Sequence, residues 1–512
     1  MTQLLKLNVL ALFSFLFFSS KAAPAAVMVD PPGIKAGVSK ITGTIIRPEG
    51  HDSDETSVNI TVPHPISGEY VRYKAIVDQS GKFSIDVDIE TDSAMIGLNT
   101  SLNPEKAFLV KVGHAGLTNI DIAYESNGDL KSVGIHPYRN HYDLTQGFDV
   151  VNKMIAYRPK RAAQPLYEKS TDYFFNYVKM VLGERLEIVR KDSLLSNELK
   201  SILAKDFGLF MYSGHVFDYE SEMKLNYRNI NNDESGQPDI QKIDRTYYRF
   251  LKDMKLNDLE YLQCFSLVEF QMKILQNETI GLPLIEESDI ASWIADTKHI
   301  LGDLLGFKDG PYYDILAANA YARQLNEEVR PLSKKQKEHI ARYWKNGEVA
   351  KILLRKNLQV EELDKFKTPT IVHDISSVPA EKVLETIVAK HKNKVVLVDL
   401  WATWCAPCLD AMQQFRTAKT SFQDKDVAFV YLSNRSSPRK LWEEKIKGIG
   451  GEQYYLTDAQ WEYVMDHFGF EAIPSYVIYD SAGSLVQKFT GFPGSGTMAG
   501  MIDEASKSKE LD

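Results

Sequence analysis

The feature that most narrows the folds open to this chain is the run Val395-Val396-Leu397-Val398, followed closely by Cys405-Ala406-Pro407-Cys408. An unbroken apolar run, β-branched at three of its four positions, reads as a strand buried on both faces, as inside a parallel sheet covered by helices. Pro407 suits the first turn of a helix, where its missing N–H is no loss, and Leu409, Met412 and Phe415 then recur at helical spacing. The pattern predicts a strand, a short turn and a helix that begins at the cysteines.

Unpaired N–H groups and the positive end of the macrodipole make a helix N-terminus favour a thiolate over a thiol. Cys405 is therefore expected to be the attacking sulfur, and Cys408, one turn along, the resolving one. The competing use of such a pair is half of a zinc site. Here the other half is missing: the remaining cysteine, Cys264, lies in a different region, and no second pair or His-X3-His accompanies it. A redox pair without metal or cofactor is expected. Cys264, among large apolar neighbours, should pack as a small hydrophobe. His136 and His141 have no third ligand beside them and read as loop histidines.

Trp401-Ala402-Thr403-Trp404-Cys405-Ala406-Pro407-Cys408 resembles the active site of the thioredoxin superfamily, and Ile473-Pro474 resembles that family's cis-proline loop. The resemblance implies that Pro474 packs beside the disulfide and that the Ile473 backbone pairs with a substrate peptide. It also implies that Asp399 is the buried acid exchanging a proton with the resolving cysteine, and that Trp404, Ala406 and Pro407 border the substrate groove. Roughly forty residues separate the apolar strand 427–432 from Pro474, and they include a helix-like segment at 441–449. Such an insertion is similar to that of the TlpA-type and ResA-type extracytoplasmic thiol-disulfide oxidoreductases. By this resemblance the substrates are protein thiols and disulfides, and an upstream electron donor in the envelope renews the site. Ala406-Pro407 stands closer to the Gly-Pro of reducing thioredoxins than to the Pro-His of strong oxidants, which favours a reductase. The Pro-X3-Thr-X2-Cys setting of peroxidases with this fold is absent. The resemblance covers residues 365–512.

A chain of 512 residues is too long for one core and suggests about three domains. Lys6, the apolar stretch 7–18 and the small residues at 20–26 read as a secretory signal over residues 1–26. Its core of about a dozen residues falls short of the roughly 20 that span a bilayer, no cysteine follows it to carry a lipid, and no later stretch is long and apolar enough to span. A periplasmic or secreted protein without a lipoprotein anchor is expected. Three cysteines are too few for a disulfide-built scaffold, so stability must come from packed cores. A net charge of −9 and a pI near 5.8 leave no basic stripe for nucleic acid.

Over residues 37–145 the hydrophobic period is two. Val58, Ile60 and Val62 alternate with polar residues, as do Phe83, Ile85, Val87 and Ile89, and Asp78-Gln79-Ser80-Gly81 supplies a hairpin turn, predicting an antiparallel β-sandwich. Over 149–363 the period becomes helical, as at Ile290, Ile294, Thr297, Leu301 and Leu304 before Gly306, and Ser333 with Gln336 signals a capping box. Residues 229–236 read as an exposed loop. Residues 365–512 follow as the α/β thioredoxin-like domain. A second reading makes the β and helical domains a binding or scaffold protein of the envelope, with the last domain kept for docking. The intact cysteine pair weighs against it.

Overall fold

Alternation with a period of two builds the first layers of the protein, seen in a computed structural model that describes residues 32–48, 55–137, 140–233, 236, 238–422 and 425–507. The expected signal lies outside the described residues. The strands are β1 (Ile34–Ile46), β2 (Ser57–His64), β3 (Glu69–Ile76), β4 (Lys82–Thr91), β5 (Ser93–Thr100), β6 (Asn103–Gly113), β7 (Leu117–Tyr124) and β8 (Leu130–His136). Two four-stranded sheets result, ordered β4-β1-β7-β8 and β3-β2-β5-β6. Val58, Ile60 and Val62 meet Phe83, Val87 and Ile89 in the core between them, as alternation requires.

Two details differ from the expected antiparallel sandwich. β1 and β7 pair in parallel. The turn at Asp78 is also no hairpin, because it carries the chain from β3 in one sheet to β4 in the other. Its local chemistry is still that of a tight turn: Asp78 Oδ1 accepts from the Lys82 N–H and the Ser80 hydroxyl, and Gly81 takes a positive φ of 80°. β4 pairs instead with the distant β1, and the Ile45 N–H reaches the Gly81 carbonyl at 2.7 Å.

The helices that follow are α1 (His141–Ala156), α2 (Thr171–Lys191), α3 (Asn197–Met211), α4 (Tyr219–Asn231), α5 (Leu267–Gln276), α6 (Ile290–Leu305), α7 (Pro311–Glu327), α8 (Lys334–Tyr343) and α9 (Glu348–Asp364). α6 buries the predicted stripe and stops at Gly306, whose φ of 78° suits glycine. α8 opens with the Ser333–Gln336 capping box. The segment expected to be a loop from Asn229 is helical to Asn231, because Asn232 can take the left-handed conformation that ends α4. His141 is not in a loop either, but is the first residue of α1, capped by the Asn140 side chain. Cys264 is buried in the aromatic core with Tyr248, Phe250 and Phe270.

α7 is buried along nearly its whole length. Asn319 and Asn326 donate their amides to the carbonyls of residues 65–68, in the turn between β2 and β3.

The last part runs β9 (Thr370–His373), α10 (Val383–Lys390), β10 (Val395–Leu400), α11 (Ala406–Thr420), β11 (Val427–Asn434), α12 (Arg439–Ile449), β12 (Gly451–Leu456), α13 (Asp458–Phe468), β13 (Ser475–Tyr479), β14 (Leu485–Thr490) and α14 (Ser495–Lys507). These form a six-stranded mixed sheet ordered β14-β13-β10-β11-β12-β9. Successive residues of β10 enter opposite cores: Val395 and Leu397 on one face, Val396, Val398 and Leu400 on the other. That two-sided burial is why the run has no polar alternation.

α12, the helix of the insertion, turns charged residues inward against α7. Arg323 grips Glu444 through both Nε (2.6 Å) and Nη2, donates from Nη1 to the Leu275 carbonyl at 2.7 Å, and Lys445 pairs with Glu327. Gly448 permits the approach, since a Cβ there would stand 2.4 Å from the Glu327 carbonyl oxygen. Among the described residues no helix is long and apolar enough to cross a membrane.

Candidate active site

β10 delivers the chain to the site from the middle of its sheet, parallel to β11 and antiparallel to β13. Trp401 remains tied to β11 through its N–H on the Leu432 carbonyl (3.0 Å), and Thr403 is tied to the turn after β11 through its N–H on Ser437 Oγ (2.9 Å). The chain then turns with the Cys405 N–H on the Ala402 carbonyl. Cys405 is the N-cap of α11, and its sulfur accepts the Cys408 N–H at 3.2 Å, which takes up one of the unpaired donors of the helix start. The two cysteines form a disulfide, with Cα atoms 5.3 Å apart. Cys408 is fully covered while Cys405 keeps 3% exposure. Around them Trp404, Ala406 and Pro407 are exposed, Trp404 at 63%, with its indole N–H on Ser436 Oγ.

The Ile473-Pro474 bond is cis. Ser475 pairs with Leu400 across the sheet, so Pro474 lies next to the segment that leads to Cys405. Ile473 packs on the apolar cluster that contains both cysteines.

Asp399 is buried, and its Oδ1 has no hydrogen-bond partner. Burial pushes its carboxyl well above the usual range, with the charge of Lys419 opposing. Lys419 is itself buried, donating to the Tyr431 hydroxyl (3.1 Å) and the Ile449 carbonyl (3.4 Å), and burial brings its ammonium down to about 7. For both members the loss of water outweighs their mutual attraction, so each is driven towards its neutral form. Asp399, Arg416, Lys419, Tyr431 and Tyr476 line a cavity of about 30 Å³, room for about two waters. Burial and the nearby Asp399 push the phenols of Tyr431 and Tyr476 upward.

These features can be set against known proteins. Residues 374–502 match the Redoxin family model. This thioredoxin-like domain is also similar to solved structures. A thioredoxin domain of a thiol-disulfide oxidoreductase from Bacteroides vulgatus is 21% identical, covering 22% of this chain and 83% of that one, at a TM-score of 0.21. StoA from Bacillus subtilis is 18% identical, covering 21% and 82%, at a TM-score of 0.18. A thiol:disulfide interchange protein of the thioredoxin family from Chlorobium tepidum is 19% identical, covering 27% and 96%, at a TM-score of 0.22. No curated protein matches the chain.

Within the thioredoxin-like domain the cysteine pair, Trp404, Ala406 and Pro407 lie at the start of α11, Ile473 packs on the same apolar cluster, Pro474 adjoins the end of β10, and Asp399 lies on β10. Arg416, Lys419, Tyr431 and Tyr476 were missed by the sequence reading. A signal for Lys419 existed: Cys408, Ala411, Phe415 and Lys419 recur at helical spacing and form the buried face of α11. The predicted residues Leu409 and Met412 are only partly buried. Among the described residues, no cluster of three or more His, Cys, Asp or Glu could hold a metal ion.

Proposed function

We propose that this protein is a thiol-disulfide oxidoreductase that reduces disulfides of envelope proteins through Cys405 and Cys408. The reading rests chiefly on one arrangement: a Cys405–Cys408 disulfide at the N-terminus of α11, in the domain that carries the cis Ile473-Pro474 bond. In the reduced protein the Cys405 thiolate, favoured by the helix N-terminus, attacks one sulfur of a substrate disulfide. The substrate S–S bond breaks, one substrate thiolate leaves, and a mixed disulfide forms. Cys408 then attacks the Cys405 sulfur and expels the second substrate thiolate, so two electrons pass to the substrate and the Cys405–Cys408 bond closes. The proton that Cys408 loses goes to Asp399, whose raised affinity for protons suits an acceptor near neutral pH. Trp404, Ala406, Pro407 and Ile473 border the peptide, and a dithiol donor in the envelope restores the reduced state. Export through the segment 1–26 completes the reading.

Reduction of insulin by the purified protein with a dithiol donor tests it. Cys405→Ser should abolish turnover, and Cys408→Ser should accumulate mixed disulfides with envelope proteins. A Cys408→Ser protein that captures nothing would overturn the mechanism. A reduction potential above about −180 mV would overturn the reductive direction.

A further inference from the structure

A second cavity, of about 360 Å³, lies between the outer face of the β3-β2-β5-β6 sheet and the helices α1 and α3, and shares no lining residue with the cysteine site. That size falls in the range of small-molecule sites, about 300–1,000 Å³. The room arises from two small residues, Gly97 on β5 and Ala107 on β6, facing Phe148, Leu203 and Phe265. The backbone does not require a glycine at 97. It is not among the positive-φ residues, and an added Cβ would make ordinary contact with the Phe265 ring at 3.7 Å. A strand glycine that the backbone does not need marks a place where something else approaches.

The wall carries a polar mismatch. Gln263 is only 3% exposed, yet its Oε1 has no hydrogen-bond partner. A buried acceptor left unpaired in apolar surroundings is costly unless a donor arrives. Asp206, also in the wall, accepts the Ser266 N–H at 2.7 Å, and burial favours its neutral form. No lysine, arginine or histidine lines the space, so an anion finds no partner there. Asn59 is exposed, which brings the cavity to the surface.

We propose that this cavity binds a neutral, mostly apolar small molecule that donates one O–H or N–H hydrogen bond to Gln263. The probe is N-phenyl-1-naphthylamine, which is neutral, apolar, has one N–H, and brightens when it leaves water. With the full chain it should show saturable binding of one molecule per protein. Ala107→Phe, which fills the space, should weaken that binding at least tenfold. Gln263→Leu should weaken it about fivefold, the worth of one ordinary neutral hydrogen bond. 1-Dodecanol should displace the probe better than dodecane, and Gln263→Leu should erase that preference. Gly97→Leu fills the same space from the neighbouring strand and serves if Ala107→Phe fails to fold, with circular dichroism as the check. Absence of saturable binding, undiminished binding in the filled variant, or equal displacement by alcohol and alkane would each overturn the proposal.

Discussion

Replacing Lys419 with methionine should remove a rise of stability with pH from the C-terminal sheet. The ammonium lies 5.0 Å over the rings of Phe429 and Tyr431, and burial, aided by the like charge of Arg416, lowers it from 10.5 to about 7. An unfolded chain keeps its lysine near about 10.4. Between about pH 7 and 10 the unfolded state therefore holds one more proton than the folded state, and stability rises with pH across that window. Below about 7 both states are protonated and the cost of burying the charge is at its largest. A fall from 10.5 to about 7 corresponds to about 5 kcal/mol over the full range, of which about 3 kcal/mol is recovered between pH 6 and 9. Methionine fills similar space and does not titrate. Loss of Lys419 also removes the attraction that lowers Asp399, so the variant gives up more of its advantage as pH rises. Hydrogen exchange at the β10 and β11 amides, corrected for intrinsic rates, reads the local stability of both proteins. The advantage of the variant over the parent should shrink by at least about 3 kcal/mol from pH 6 to 9. Parallel curves would mean that Lys419 stays charged in place, and the burial argument would be refuted.

Two other substitutions follow from buried charges. Glu444→Ala leaves the Arg323 guanidinium buried with the Leu275 carbonyl as its acceptor, and should cost about 3–5 kcal/mol in thermal denaturation; a loss under about 1 kcal/mol would show that the pair does not hold α12 to α7. Asp399→Asn should slow insulin reduction near neutral pH and remove the step assigned to Asp399 from the pH–rate profile, whereas an unchanged profile would take Asp399 out of the proton path. The raised carboxyl makes the native protein lose stability as pH climbs from about 3.9 through the folded value. Asp399→Asn should therefore match it near pH 4 and exceed it at pH 8.

Much of the candidate site was legible because its signals are local. The apolar run at 395–398, the proline after Cys405 and the spacing of the two cysteines each act over a few residues, and the strand, the helix start and the disulfide follow from them. The Ser333 capping box and the Gly306 helix end were legible for the same reason. The residues around Asp399 were not. Arg416 and Lys419 look like ordinary surface cations until the face of α11 is known, and Tyr431 and Tyr476 come from strands on either side of β10. β12 and α13 escaped notice inside the insertion.

Chain chemistry alone determined where the first strands alternate, where α8 and α11 begin and α6 stops, and which sulfurs can meet, since steric limits, hydrogen bonding and hydrophobic period all operate between near neighbours. Only the tertiary structure decided that the turn at Asp78 crosses between sheets, that β1 runs parallel to β7, and that α12 of the insertion holds α7. It alone decided that Gly97 and Ala107 face a cavity. Those outcomes depend on which distant surfaces fit together, and a turn or a helix has the same local energy whichever partner it finds.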